Sequence, residues 1–185
     1  MEECFWREGI SFLCSQCSDC CRHEPGHVFL YEEDIPHILD LLKMEKEVFF
    51  ARYCRWVDLH DGFEYLSLNE KENYDCIFWN NGCDIYRSRP LQCKSFPFWP
   101  LALESKQNWE VITSTCSGCK CKNMSSATIV DETSSVFFPT SLDGLSCTDD
   151  KAVDVNQSGL YFSADRIASI RNAQLNATQI KREKR

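Results

Sequence analysis

The chain has 185 residues, which suits a single domain or one domain with an appendage, and its formal net charge is −8 at pH 7. This acidity argues against a nucleic-acid partner, because binding to phosphates requires a basic face. No segment approaches the roughly 18–20 uninterrupted apolar residues that span a bilayer, and the first residues carry acids where a secretory signal carries Lys or Arg, so we expect a cytoplasmic protein without membrane contact.

The first feature in chain order is the block CSQCSDCC, which places four cysteines in eight residues. The chain holds thirteen cysteines, and an odd number in a reducing compartment argues against a disulfide framework. Clustered, reduced thiols are typical of bound metal. Apart from Cys4, Cys54 and Cys147, the cysteines are grouped between Cys14 and Cys121, so we expect the metal chemistry within residues 10–122.

The spacing inside this block favours iron over zinc. Cys14, Cys17 and Cys20 form a C-x2-C-x2-C triplet, which resembles the loops of bacterial ferredoxins that bind an iron–sulfur cluster with one remote cysteine. Structural Zn2+ sites more often combine two separate C-x2-C pairs. The adjacent side chains of Cys20 and Cys21 point in different directions, so we do not expect both to bind one single-ion centre. An iron–sulfur cluster, of the 4Fe-4S type, is therefore the leading prediction and Zn2+ its rival.

Two amphipathic helices are predicted next. The segment EEDIPHILDLLKM begins with Asp34 as a plausible N-cap and has apolar residues at helical spacing, namely Ile35, Ile38, Leu39 and Leu42. The segment EVFFARYCRWV repeats the pattern and predicts a second helix through Val57, packed on the first. Cys54 lies on its apolar face, and we interpret it as a buried hydrophobic residue rather than a ligand.

Short strands and turns are predicted between residues 63 and 116. FEYLSL is a strand candidate, and CIFWNNGCDIY predicts a hairpin that turns at Asn80, Asn81 and Gly82. SRPLQC predicts a short helix that carries Cys93, and WEVITSTC predicts a last strand that ends at Cys116. The fold class is therefore α+β: a small, cysteine-rich, metal-stabilised domain with two amphipathic helices, short antiparallel strands and irregular loops.

The composition changes after residue 123, where Ser, Thr and Asp become frequent and no apolar period is sustained. We predict a cysteine-cluster metal-binding domain over 1–122 and a polar, loosely ordered extension over 123–185. The final stretch SADRIASIRNAQLNATQIKREKR could form a helix, with Ile167, Ile170, Leu175 and Ile180 on one side.

Four remote cysteines can join the block. The hairpin would hold Cys76 and Cys83 near each other, the Arg-Pro turn would bring back Cys93, and Cys116 follows later. With the four thiols of the block this makes eight, which at four sulfurs per centre fits two zinc ions, two clusters, or one cluster with spare thiols. Metal binding would also contribute to folding, since ligation energy is then folding energy.

A family resemblance rests on three blocks in order: FLCSQCSDCCRHEPGHVFLYEEDI, CIFWNNGCDIYRSRPLQCKSFPFWP and STCSG. Over residues 10–120 they resemble the YkgJ-like cysteine-cluster family, described as a zinc- or iron-chelating domain. The resemblance implies that the metal ligands are Cys14, Cys17, Cys20, Cys21, Cys76, Cys83, Cys93 and Cys116. Ser18 and Ser117 depart from the usual pattern, and Cys119 and Cys121 are additions to it, so ligation by these two cysteines stays open.

Two functions follow from these observations. The first is metal binding, in electron transfer, metal handling or as a scaffold, with an unidentified protein partner. The alternative is an accessory or catalytic module of a protein-modifying enzyme, because related cysteine blocks occur in flagellin lysine methylases. No catalytic motif is readable, so enzymatic activity is left open and the first function is preferred.

Further polar residues accompany the thiols. His23 and His27 are chemically able to bind zinc, although histidines in such loops are more often surface residues. Arg87 and Arg89 could either offset the negative charge of the thiolates or be solvated turn residues.

Overall fold

The structure is a computed structural model that describes residues 4–14, 17–120, 128–130 and 160–184. The chain divides into two compact units that alternate along the sequence. Unit 1 is formed by Met1–Cys20 and Ser95–Leu175, and unit 2 by Cys21–Lys94 and Asn176–Arg185. Within the described ranges, no helix has the length and apolar character needed to cross a membrane.

The elements confirm the predicted α+β class. The helices are α1 (Asp34–Leu42), α2 (Lys46–Tyr53), α3 (Leu91–Ser95), α4 (Pro100–Glu104), α5 (Lys106–Thr113) and α6 (Ala164–Asn176). The strands are β1 (Ile10–Phe12), β2 (Cys54–Asp58), β3 (Phe63–Leu68), β4 (Thr128–Val130), β5 (Leu160–Phe162) and β6 (Lys181–Glu183).

Unit 2 is built on the antiparallel sheet β2-β3-β6, in which the predicted strand FEYLSL is confirmed as the central strand β3. In the register, Cys54 lies opposite Leu68, and Phe63 lies opposite Glu183. Helix α1 confirms the first amphipathic prediction and buries Ile35 and Ile38. The most deeply buried members of this core are Leu30, Ile38, Phe49, Leu66 and Ile85.

The second predicted helix is shorter than expected. It ends at Tyr53, and the prediction of helix through Val57 is wrong, because the backbone becomes extended at Cys54 (φ −124°, ψ 157°). From there the chain forms β2, whose backbone groups are paired with β3. The same apolar residues can form one face of a helix or one face of a half-buried strand. Here the strand forms, because β3 offers backbone groups with which residues 54–58 can pair.

The segment CIFWNNGCDIY forms consecutive turns, and the predicted hairpin is reduced to a single antiparallel bridge between Trp79 and Cys83. Asn81 and Gly82 have positive φ values of 53° and 144°, as the predicted turn requires. Short local hydrogen bonds replace a ladder: Trp79 N–H donates to the Cys76 carbonyl at 2.9 Å.

Unit 1 contains the sheet β1-β5-β4, in which β1 is antiparallel and β4 parallel to β5. Aromatic rings dominate its core, and the ring centroids of Phe98 and Phe162 lie 4.8 Å apart. The predicted strand WEVITSTC is wrong: residues 109–113 lie in helix α5, and residues 114–116 follow its end. Ser105 caps the helix by accepting a hydrogen bond from Asn108 N–H at 3.0 Å, and Trp109 stacks on Phe98.

Residues 160–184 contribute to both units. The predicted C-terminal helix is confirmed as α6, where Ile167 and Ile170 are fully buried. Ile180 lies beyond the end of this helix and is buried in the core of unit 2. Most of the predicted extension, including Cys147, and the additional cysteine Cys121 lie outside the described residues.

Candidate metal centre

The two units divide the predicted ligands equally. Unit 1 holds Cys14, Cys17, Cys20 and Cys116, and unit 2 holds Cys21, Cys76, Cys83 and Cys93. The division falls between the adjacent residues Cys20 and Cys21. No disulfide links any of the eleven cysteines that the structure describes.

The described thiols do not lie close enough together to form a complete metal site. Among the described residues, no three Cys, His, Asp or Glu side chains form a ready-made group for a metal ion. What supports a centre in each unit is the placement of the backbone segments that carry the thiols, and the contacts between pairs of them.

In unit 1 the turn Cys116–Cys119 is shaped around the sulfur of Cys116. Cys116 N–H donates to Thr113 at the end of α5, and Cys119 N–H donates to the Cys116 carbonyl at 3.2 Å. The Cys119 thiol donates a hydrogen bond to the Cys116 sulfur, as do the backbone N–H groups of Cys119 and Gly118. The thiol contact is the largest influence, and together these bonds lower the pKa of Cys116 to about 7 although burial opposes them. Cys116 is thus prepared to become a thiolate, the form that binds metal.

The end of β1 lies against this turn. Leu13 N–H donates to the Gly118 carbonyl at 3.2 Å. A Cβ atom on Gly118 would lie only 2.1 Å from the Leu13 carbonyl oxygen, so only glycine permits this approach. The next residue, Cys14, packs with Cys119 against the same core of unit 1. The donors that these segments carry are sulfurs, half-buried at Cys14 and Cys119 and buried at Cys116, and thiolate sulfur is a ligand for zinc or iron.

In unit 2 the segments around Cys21 and Cys76 are paired through the backbone. Cys76 N–H donates to the Cys21 carbonyl at 2.9 Å. Cys83 follows the turn that starts at Cys76, and both side chains pack against the core of unit 2. The bridge between Trp79 and Cys83 closes this turn. Three of the four predicted ligands of unit 2 therefore lie on directly connected segments.

The fourth, Cys93, lies on the short helix α3, which is held from two sides. The Asp34 carboxylate accepts hydrogen bonds from Leu91 N–H at 2.7 Å and from Tyr31 N–H at 3.0 Å. The Gln92 side chain accepts from Phe29 N–H at 2.9 Å and donates to the carbonyl of His27 at 2.8 Å. These bonds fix the position of α3, which the sequence predicted correctly.

One charged residue beside the thiols was missed in the sequence. Arg22, next to Cys21, lies 3.6 Å from the ring centroid of Trp79 and forms an ion pair with Asp75 at 3.2 Å. Burial of Asp75 raises its pKa, but hydrogen bonds from Asn73 and Arg22 outweigh that effect, so the pKa is lowered overall. Because Arg22 follows Cys21 and Asp75 precedes Cys76, this ion pair joins the segments that carry two predicted ligands.

The polar residues singled out in the sequence have other contacts. Arg89 donates to the carbonyl of Tyr86 at 2.8 Å and lies over its ring. The exposed His27 has its Nδ1 atom 3.2 Å from the guanidinium of Arg55. A role of His23, His27, Arg87 or Arg89 at a metal centre stays a prediction.

Many reduced thiols on short turns that backbone hydrogen bonds hold together are typical of one class, the cysteine-rich metal-binding proteins. A family model described as "Putative zinc- or iron-chelating domain" and named CxxCxxCC matches residues 13–117. The chain therefore belongs to the CxxCxxCC family, and the resemblance seen in the sequence is confirmed. The family description supports the predicted metal-binding role of the chain.

A curated relative covers part of the chain. The uncharacterised protein MJ0939 of Methanocaldococcus jannaschii is 29% identical over an alignment of 132 residues that covers 68% of this chain and 42% of the relative. The chain thus spans less than half the length of that protein. No solved structure matches the chain.

Proposed function

We propose that the chain chelates two metal ions, zinc or iron, with one four-thiolate centre in each unit. The observation that carries this proposal is the equal division of the eight predicted ligands between the two units. Unit 2 supplies Cys21, Cys76, Cys83 and Cys93. Unit 1 draws its ligands from the cysteines near residues 14–20 and from the turn Cys116–Cys119.

Single ions agree better with the geometry of unit 1 than an iron–sulfur cluster does. A cluster bound by the triplet needs Cys14, Cys17 and Cys20 on one centre. Cys20 is exposed, however, whereas Cys14 and Cys17 are half-buried. Cys116 also lies in a C-x2-C turn, the arrangement typical of one tetrahedral ion.

Four thiolates leave no open coordination position, so we assign both centres a structural role. Sites of this kind contribute their binding energy to folding. Maintenance of so many unoxidised thiols requires a reducing compartment, which supports a cytoplasmic location. The partner, and the alternative role in a protein-modifying enzyme, stay predictions.

Metal analysis of protein purified without oxygen tests the proposal. We expect about two equivalents of zinc plus iron per chain, and no acid-labile sulfide, because four-thiolate sites of single ions contain no inorganic sulfur. Iron with a matching amount of sulfide would contradict single ions and would show that the chain binds iron–sulfur clusters. Protein that remains metal-free after anaerobic refolding with Zn2+ or Fe2+ would contradict chelation altogether.

A further inference from the structure

We propose that Cys119, which is not among the eight predicted ligands, completes the centre of unit 1 with Cys14, Cys17 and Cys116, and that Cys20 is not a ligand. This inference rests on the proposed function, because it assigns the sulfurs of one of the two centres. It replaces the C-x2-C-x2-C triplet with two C-x2-C pairs about one tetrahedral ion.

The first step is the contact between Cys116 and Cys119. The Cys119 thiol donates a hydrogen bond to the Cys116 sulfur, so the two sulfurs face each other across a tight turn. Sulfurs bound to one tetrahedral zinc ion are about 3.8 Å apart for bonds of about 2.3 Å, a separation similar to that of a hydrogen-bonded thiol pair. A metal ion bound by both sulfurs would take the place of the proton that the Cys119 thiol donates.

The second step is the shape of the turn. Backbone N–H groups of Gly118 and Cys119 donate to the Cys116 sulfur, and they remain aimed at it when the sulfur carries a negative charge. Such charge-assisted hydrogen bonds are stronger than neutral ones and compensate a thiolate that binds metal. The turn Ser117–Lys120 thus has the donors that a ligand turn requires.

The third step brings in the other pair. The hydrogen bond from Leu13 to Gly118 holds the residue before Cys14 directly against the turn. Cys14 and Cys119 pack against the same core, and Cys17 is the third residue after Cys14 in the sequence. The close approach at Gly118, where a Cβ would meet backbone 2.1 Å away, shows how tightly these two segments are joined.

Exposure separates Cys119 from Cys20. Cys119 is half-buried, whereas Cys20 is exposed to solvent. A closed centre with four thiolates is stabilised by exclusion of water, and its ligands are protected from oxidation when they are covered. Between the two remaining candidates for a fourth ligand of unit 1, burial favours Cys119.

Alkylation of the zinc-loaded wild-type protein tests this assignment without any mutation. N-ethylmaleimide is added under native conditions, excess reagent is removed, and tryptic peptides are analysed by mass spectrometry. Cleavage after Lys120 separates Cys119 from Cys121, and fragment ions distinguish Cys20 from Cys21. We expect Cys119 to be protected from alkylation until a chelator removes the zinc from the protein. Cys20 should react with the reagent from the start.

Two variants provide a second readout. Cys119→Ser should lower the bound zinc from about two equivalents to one, whereas the matched control Cys20→Ser should retain two. Protection of Cys20, or full zinc binding by Cys119→Ser, would overturn the assignment while leaving chelation intact. Wild-type protein that binds neither zinc nor iron would overturn the proposed function instead, so the two failures are distinguishable.

Discussion

Cys54 and Cys116 carry the same side chain in opposite environments. Burial against apolar neighbours raises the pKa of Cys54 to about 12, so its thiol stays protonated at neutral pH. Hydrogen bonds from Cys119 and Gly118 have the reverse effect on Cys116. A thiolate is the form that binds metal, so the hydrogen bonds to its sulfur suit Cys116 to the proposed centre although it is buried, whereas Cys54 lacks this support.

Replacement of single cysteines should reproduce this difference. Cys17→Ser removes a ligand from unit 1, and we expect it to lose about one equivalent of metal and several kcal/mol of stability, because ligation energy is folding energy. Cys54→Ala should keep both metals and lose about 1 kcal/mol from lost packing. Metal content and urea unfolding of both variants check this expectation. Metal loss in Cys54→Ala would show that the ligand set is wrong.

The close approach at Gly118 gives a second prediction for a single residue. Gly118→Ala places a methyl group 2.1 Å from the Leu13 carbonyl oxygen, so backbone must move. We expect a loss of about 1–3 kcal/mol and weaker zinc binding in unit 1. Gly26→Ala is the matched control, because nothing lies within 4 Å of its Cβ position. Similar stability and zinc affinity of the two variants would refute the importance of this contact.

Among the elements, α3 depends on a carboxylate of another helix. Asp34 accepts N–H bonds from Tyr31 and Leu91 and so links the start of α1 to the start of α3. Asp34→Ala leaves both donors unsatisfied in a buried position, which should cost about 2–4 kcal/mol. We expect weaker metal binding in unit 2, since α3 carries Cys93. Zinc titration and urea unfolding of this variant measure the two effects.

The pH dependence of Asp34 has a definite sign. Burial raises the pKa of its carboxyl above the usual 3.8, against the backbone hydrogen bonds that lower it. The folded state therefore binds the proton more tightly, and the stabilisation from this group is fully present below pH 3.8 and is lost as pH rises through the raised pKa. The stability advantage of wild type over Asp34→Asn should shrink from pH 3.5 to 7. An advantage that grows over this range would contradict the burial effect.

Local patterns predicted the elements that tertiary contacts did not alter. The spacing of apolar residues in α1 and β3 matches the residues that these elements bury. The Arg-Pro sequence correctly predicted the start of the short helix α3. WEVITSTC was assigned as a strand because its residue types suit strands, but the Ser105 cap and the packing of Trp109 make it a helix. Strand formation at Cys54 likewise depends on its pairing with Leu68, which lies in the next strand along the chain.

The candidate site shows the same limit. The eight candidate cysteines were predicted from the spacing typical of the family. The sequence also predicted that Cys20 and Cys21 do not bind the same ion, because the side chains of adjacent residues point in different directions. Their division between two units depends on which distant segments fold together, and spacing carries no such information. The contact of Cys119 with Cys116 had a sequence signal, the C-x2-C pair, whereas the role of Gly118 becomes visible only against Leu13.

At the scale of the whole molecule, the order of segments would give the two proposed centres different roles in stability. The centre of unit 1 would join residues 14–17 to residues 116–119 and so close a loop that includes the sequence of unit 2 up to residue 94. A link across so long a loop removes much conformational entropy from the unfolded chain. Most of unit 2 is one continuous segment, so its centre closes shorter loops.

Hydrogen exchange should distinguish the elements that each proposed centre stabilises. We expect Cys17→Ser to weaken amide protection in β1, α5 and α6 of unit 1 while α1 and β3 of unit 2 keep most of theirs. Cys83→Ser should do the reverse and cause the smaller loss, because the loop it opens is shorter. Mass spectrometry of peptic peptides from both zinc-loaded variants and wild type measures each element separately. Equal loss of protection throughout the chain in both variants would mean that the two centres support one cooperative structure, which the separate placement of four thiols in each unit argues against.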